Sequence, residues 1–243
     1  MFQRLLTIIF LGIFFYSIYE LGGIFMDYYE NRKVMAEAQA IYHRNEGETN
    51  STEGKIRSQF NSLREINPEI VGWVTVDDTH INYPIVQAKD NDYYLYRNYK
   101  KEDMRAGSIF MDYRNQVSSS NQNTILYGHR MKDGSMFGNL KKFLDEDFFK
   151  SHPKFYYDTL YEGYDVEVFS IYTTTTDFYY IQTDFANDDE YANFLQNIQE
   201  KSLYKSNTTV TADDQIITLS TCDYAVHSTA GRLVLHAKLM KQH

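Results

Sequence analysis

The chain has 243 residues and a formal net charge of −9, which allows one domain of roughly 170 to 200 residues with an appendage. The acidic balance, without a cluster of Lys and Arg, argues against a nucleic-acid partner, because phosphate backbones require a basic face. Tyr and Phe are abundant, at 22 and 16 residues, and Pro occurs only 3 times, which is typical of strands and a packed core.

The N-terminus differs from the rest of the chain because residues 5–26 are almost entirely apolar. A helix over these residues reaches roughly 33 Å at about 1.5 Å per residue, enough to cross a hydrocarbon core of about 30 Å. We therefore predict a membrane anchor over residues 1–26. A cleaved signal peptide is the alternative, since "AEAQA" at 36–40 resembles a cleavage site, and an interfacial helix is another. Arg4 on one side and Asp27 on the other predict that residues 27–243 lie outside the cell.

Residues 27–66 are predicted to form a helical stalk and a packing helix. The stretch 27–44 contains good helix formers and continues the anchor, and the polar segment 45–54 then interrupts it. In "KIRSQFNSLREIN" the residues Ile56, Phe60 and Leu63 share one helix face, so this helix is expected to lie against the domain.

We predict that residues 67–243 form a β domain, because the apolar pattern changes to strand periodicity from Val71 onward. A capping Asn187 and first-turn acids predict one late helix before the last two strands. This outline is a mostly antiparallel sheet, which we predict to be a closed barrel. The predicted strands are two within 71–87, then 107–114, 124–127, a hairpin within 154–176, 215–221 and 231–240.

The only cysteine, Cys222, follows a predicted strand, and Arg232 begins the next, so a hairpin would bring the two together. A nucleophilic thiol needs a base, and an oxyanion needs a fixed donor that Arg232 can supply. His129 follows a strand and Gly128, whose freedom to adopt unusual backbone geometry would aim the imidazole over the sheet end. His227 is the alternative base. Without further context, a lone cysteine is also compatible with a buried core position in a non-enzymatic surface-binding module.

Three motifs in the same order resemble the sortases, the cysteine transpeptidases of Gram-positive bacteria. "TLSTC" matches the TLxTC signature of that family, "ILYGH" matches the segment with its histidine, and Arg232 stands where its arginine is expected. "INYPIVQ" and "GSIFMD" add to a likeness over roughly residues 55–240. The helices before the barrel and the long helix at 187–203 resemble class B. The resemblance implies an eight-stranded β-barrel.

The resemblance also implies roles for individual residues. Cys222 would be the nucleophile, His129 the acid and base, and Arg232 the oxyanion stabiliser, with no cofactor or metal. Some class B members carry an acidic residue where this chain has Tyr224, which leaves Asp223 as the only nearby carboxylate. The residues implied to line the groove for a sorting peptide are Asn91, Leu95, Thr176, Tyr180, Ile181, Ser220 and Asp223.

The implied reaction cleaves an NPxTx-like sorting motif in surface proteins and joins the new carboxyl end to a cell-wall peptide amine. The implied partners are surface proteins with a C-terminal sorting signal, a lipid-linked peptidoglycan precursor and the membrane. A hydrolytic cysteine protease would use the same residues and differ only in its acceptor.

Overall fold

The N-terminal helix, α1, runs without interruption from Phe2 to Arg44 in the computed structural model, which describes residues 2–44, 55–117, 121–223 and 226–242. Its apolar first half is exposed and has the length and composition to cross a membrane. The predicted break at 45–54 lies outside the described residues.

The second half of α1 packs on the rest of the protein. Its buried residues, Asn31, Met35, Ala38 and Tyr42, recur at helical spacing and so form one face. The Tyr42 ring stacks on Trp73 with centroids 4.1 Å apart, and the Tyr42 hydroxyl donates to the Asp158 carboxylate. The second half of α1 is therefore packed against the domain along its length.

The predicted packing helix is shorter than its sequence pattern indicates. A 3-10 turn, Ser58–Phe60, leads into α2, Asn61–Ile66, and Phe60 and Leu63 are fully buried as expected. Ile56 lies before the helix and is 38% exposed. The reason is a backbone hydrogen bond from the Arg57 amide to the Leu160 carbonyl (2.8 Å), which holds this stretch extended against the domain.

Eight strands in the described part of the chain close into one barrel in the order β1-β2-β3-β4-β7-β8-β6-β5, with β5 paired to β1. Most pairings are antiparallel, as predicted, whereas β2–β3 and β4–β7 are parallel. The closed mostly β barrel is confirmed. The strands are β1 Ile70–Thr75, β2 Asn82–Val86, β3 Ile109–Met111, β4 Asn123–Tyr127, β5 Lys154–Thr159, β6 Gly163–Thr175, β7 Ile216–Cys222 and β8 Gly231–Lys241.

Two further helices cover the barrel. Helix α3, Glu146–Ser151, follows a 3-10 helix over Phe137–Leu144. Helix α4, Asp188–Glu200, begins as predicted, because the Asn187 side chain accepts a hydrogen bond from the Glu190 amide (2.9 Å). The apolar face of α4 packs on the outside of β6, β7 and β8, where it forms a second hydrophobic cluster separate from the main core of the barrel. The last two strands are thus buried on both faces, which fixes the sheet end that carries Cys222.

Candidate active site

Cys222 and Arg232 lie directly opposite each other on β7 and β8, as register partners of the antiparallel pair. Cys222 is the last residue of β7, half-buried and with a free thiol. The Arg232 guanidinium donates to the carbonyl oxygens of Thr229 (3.0 Å) and Gly231 (2.9 Å). These bonds hold a permanent positive charge beside the thiol-bearing strand end.

His129 reaches the same sheet end from β4, which runs parallel to β7 and pairs Tyr127 with Ser220. The His129 Nε2 lies 2.7 Å from the Leu95 carbonyl oxygen. Because a carbonyl oxygen can only accept, Nε2 carries the proton in this arrangement. The Tyr96 ring lies 5.5 Å from the imidazole and covers one side of it.

Gly128 has a different role from the one predicted. Its backbone is not in the left-handed region, where the described glycines are Gly107 and Gly134. A Cβ at Gly128 would instead lie 2.4 Å from Ile109 Cδ1 and 2.9 Å from Phe137 Cδ2. The glycine is needed because β3 and the 3-10 helix pack against it, and this packing places His129.

A cavity of about 280 Å³ joins these side chains. His129, Cys222 and Arg232 line it together with Asn91, Leu95 and Ser220, so six of the predicted site residues meet there. Phe110, Tyr127, Gly128 and Thr221 complete the wall and were not predicted. Among the described residues, the Thr221 hydroxyl is buried without a hydrogen-bond partner.

The other predicted groove residues do not line this cavity. Tyr180 is buried behind it, with its hydroxyl 2.8 Å from the Ser220 Oγ. Burial raises the pKa of Tyr180. The hydrogen bond with Ser220 and the positive charge of Arg232 act in the opposite direction, but burial is the larger effect. Ile181 packs on the second hydrophobic cluster, and Thr176 is exposed just beyond β6.

The Asp223 carboxylate contacts Arg130, and Asp223 does not line the 280 Å³ cavity. Its buried carboxylate forms an ion pair with Arg130, at 2.5 Å from Nη1. Its backbone amide donates to the Gly231 carbonyl (2.9 Å), which closes the hairpin. Tyr224, which stands where some class B members carry an acidic residue, lies outside the described residues.

His227, the alternative base, and a further histidine, His236, both have structural contacts of their own. The His227 Nδ1 accepts a hydrogen bond from the Ala230 amide (3.0 Å) and so caps the β7–β8 loop, and His227 does not line the 280 Å³ cavity. His236 is fully buried between the Tyr172 hydroxyl (2.8 Å) and the Thr218 hydroxyl (2.8 Å). Burial lowers the pKa of His236 to about 3, so it is neutral.

A buried network around Asp112 was missed by the sequence reasoning. Asp112 is fully buried, and Arg114 contacts it with two guanidinium nitrogens, Nε at 2.8 Å and Nη2 at 2.7 Å. The Tyr127 hydroxyl (2.9 Å) and Asn91 Nδ2 (3.0 Å) also donate to this carboxylate. Burial favours the neutral acid, yet these donors together hold the pKa of Asp112 below its usual value.

The same network connects the two sides of the cavity region. Arg114 also donates to the Ile181 carbonyl (3.0 Å) and to the Tyr179 hydroxyl (2.9 Å). One ion pair thus joins Asn91 on one side to the segment before α4 on the other. An aspartate directly after the apolar strand "IFM" is the sequence signal that points to it.

Comparison with known proteins identifies the architecture. The family model of the sortase domain matches residues 74–240. The chain belongs to the sortase family. Sortase B of Listeria monocytogenes is 47% identical over 238 residues, covering 97% of this chain and 95% of that protein.

Solved structures agree with this assignment. The crystal structure of a Bacillus anthracis protein similar to sortase B is 73% identical, with a TM-score of 0.83 over 89% of this chain and 98% of that one. A Staphylococcus aureus sortase B–substrate complex is 40% identical, with a TM-score of 0.83 over 90% of this chain and 100% of that one. The resemblance to class B is confirmed, and the protein is a sortase-type cysteine transpeptidase.

Proposed function

We propose that Cys222, His129 and Arg232 carry out two successive acyl transfers on a sorting peptide. The observation that carries this proposal is the register pairing of Cys222 with Arg232 at a cavity that His129 also lines. A thiol, a base and a fixed cation around one cavity are the groups that acyl transfer through an oxyanion requires.

In the first transfer, the Cys222 thiolate attacks the carbonyl carbon of a threonine in an NPxTx-like motif. Arg232 stabilises the tetrahedral oxyanion, and protonated His129 gives its proton to the nitrogen as the C–N bond breaks. The products are a thioester on Cys222 and the released C-terminal fragment as an amine.

In the second transfer, an amine of a cell-wall peptide attacks the thioester. His129 accepts a proton from that amine, the C–S bond breaks, and the Cys222 thiolate is restored. The surface protein is left joined to the wall peptide by an amide bond, and no net oxidation or reduction occurs. Water in place of the amine would give simple hydrolysis.

The substrate assignment rests on the cavity and on one relative. Staphylococcus aureus sortase B has been solved in complex with a substrate. Here Asn91, Leu95 and Ser220 line the cavity, so we assign direct contact with the sorting peptide to them. Tyr180, Ile181 and Thr176 would shape the groove beyond the cavity, and Asp223 would hold the β7–β8 loop.

We further propose the cellular arrangement that the exposed apolar half of α1 favours. Residues 1–26 anchor the protein in the cell membrane, residues 27–66 form the stalk and packing helix, and residues 67–243 form the catalytic barrel outside. Surface proteins with a C-terminal sorting signal and a lipid-linked peptidoglycan precursor would then meet at the membrane surface, which raises their effective concentration.

The test is mass-spectrometric capture of the thioester with an NPxTx peptide. We expect the wild-type chain to gain the mass of the N-terminal peptide fragment, Cys222→Ala to gain nothing, and His129→Ala to lose turnover while His227→Ala keeps it. Inactive His227→Ala beside active His129→Ala would reassign the base. Release of only the threonine-ended peptide in the presence of abundant amine would identify a hydrolase instead.

A further inference from the structure

A second and larger cavity, of about 610 Å³, lies between α1 and the barrel, on the other side of the His129 region. Ile24 and Tyr28 of α1 form one wall. His129 lines this cavity as well as the 280 Å³ cavity that contains Cys222. His129 therefore borders both cavities. The basic residues around the larger cavity are Arg105, Arg130, Lys132 and Lys141.

The charge of this cavity is positive, although the chain as a whole is acidic. Asp27 lies 4.0 Å from Arg105, and Asp223 pairs with Arg130. Lys132 and Lys141 are exposed and have no ion-pair partner within the described ranges. Two of the four cations are thus paired with carboxylates and two positive charges remain, which suits a ligand with two negative charges.

The position along α1 indicates where the ligand comes from. Ile24 belongs to the apolar stretch 5–26, and Tyr28 lies within one helical turn after the end of that stretch. If this stretch crosses the bilayer, the cavity opens at the level of the lipid headgroups, where Tyr and cations are also favoured. Phosphate is the anionic group present at that level, and Lys and Arg are its usual protein partners.

We propose that this cavity binds the diphosphate of a lipid-linked acceptor and so delivers its amine to His129. The inference rests on the proposed function, because it assigns a position to the acceptor of the second transfer. A diphosphate diester has two negative charges, matching the two unpaired lysines. An ordinary anionic phospholipid supplies one phosphate charge and no wall peptide.

The binding test uses the full chain in phosphatidylcholine nanodiscs, titrated with farnesyl methyl diphosphate, a diphosphate diester, as the probe. We expect Lys132→Glu/Lys141→Glu to weaken binding at least tenfold, about 1.4 kcal/mol. The control, Lys55→Glu/Lys205→Glu, makes the same charge change at exposed lysines outside the cavity and should bind within about twofold of wild type. Equal binding by both variants would overturn the proposal.

The turnover test compares two acceptors for the same thioester, a soluble amine peptide and a polyprenyl-diphosphate-linked amine. We expect the ratio of lipid-linked to soluble turnover to fall at least tenfold in Lys132→Glu/Lys141→Glu and to stay constant in the control. A wild-type chain that transfers to neither amine would refute the proposed function, while the binding test would still report on the cavity.

Two further outcomes would overturn the inference. One is an equally strong, lysine-dependent response when phosphatidylglycerol replaces the diphosphate lipid, because the cavity would then be a general membrane contact. The other is an equal loss of both turnover rates in the milder Lys132→Gln/Lys141→Gln variant, since the lysines would then act on the barrel and not on the acceptor.

Discussion

Removal of the Arg114 guanidinium should destabilise the protein by leaving the Asp112 carboxylate buried without its cation. Breaking a buried ion pair by removing one partner costs about 3 to 5 kcal/mol. The Arg114 side chain is 26% exposed, and Tyr127 and Asn91 still donate to the carboxylate, so we expect about 2 to 3 kcal/mol for Arg114→Ala. Adding Asp112→Asn removes the stranded charge and should restore most of this loss.

Urea unfolding of the full chain in detergent, monitored by tryptophan fluorescence at Trp73, measures these differences from the midpoint and slope. The pKa of Asp112 is lowered in the wild-type fold, so its stabilising effect is present above the ordinary carboxyl range and is lost as pH falls through the folded pKa. Without Arg114, burial raises that pKa instead. The difference in unfolding free energy between wild type and Arg114→Ala should therefore become smaller as pH falls. An unchanged midpoint for Arg114→Ala, or a double variant no more stable than Arg114→Ala, would refute the reasoning.

Four further outcomes follow from the site. Arg232→Lys should lower the turnover of a fluorogenic NPxTx peptide by about 10² to 10³, because an ammonium does not reproduce the guanidinium geometry, and wild-type-like turnover would remove Arg232 from its role. Tyr180→Phe deletes the hydroxyl that bonds Ser220 and should reduce unfolding free energy by about 1 kcal/mol in a urea titration. His236 is neutral in the fold, so the unfolding free energy of the wild type should decrease as pH drops below about 6.5, by up to roughly 1.4 kcal/mol per pH unit. A His236→Gln chain that shows the same pH dependence would contradict this assignment. A small alkylating reagent should modify Cys222 in the folded protein, whereas modification only after denaturation would indicate a core thiol.

The strands around Cys222 could be predicted because each step is local. Runs of apolar residues mark β7 and β8, and an antiparallel hairpin between them brings Cys222 and Arg232 to the same end of the sheet. The cap of α4 is equally local, with Asn187 three residues before Glu190. Such features depend on neighbours along the chain and can be read without knowing the fold.

The Asp112 network could not be predicted in this way, because its members are far apart in sequence. Asn91, Tyr127 and Ile181 meet only after β4 has paired in parallel with β7 and the barrel has closed. Gly128 was misread for the same reason, since its constraint comes from Ile109 and Phe137 and not from its own backbone. These features could not be predicted because they depend on packing between residues far apart in the sequence, and not because the local sequence signals were weak.

If the apolar half of α1 crosses a membrane, as we propose, its unbroken course links the thickness of that membrane to the geometry of the reaction. A span that is too long for a given bilayer can tilt, whereas one that is too short thins the bilayer around it. Since the same helix continues without a hinge to Arg44 and is attached to the barrel through Tyr42, any tilt would turn the cavity of Cys222 through a similar angle. Lipid composition would thus adjust how the thiol faces an incoming peptide without any lipid touching it.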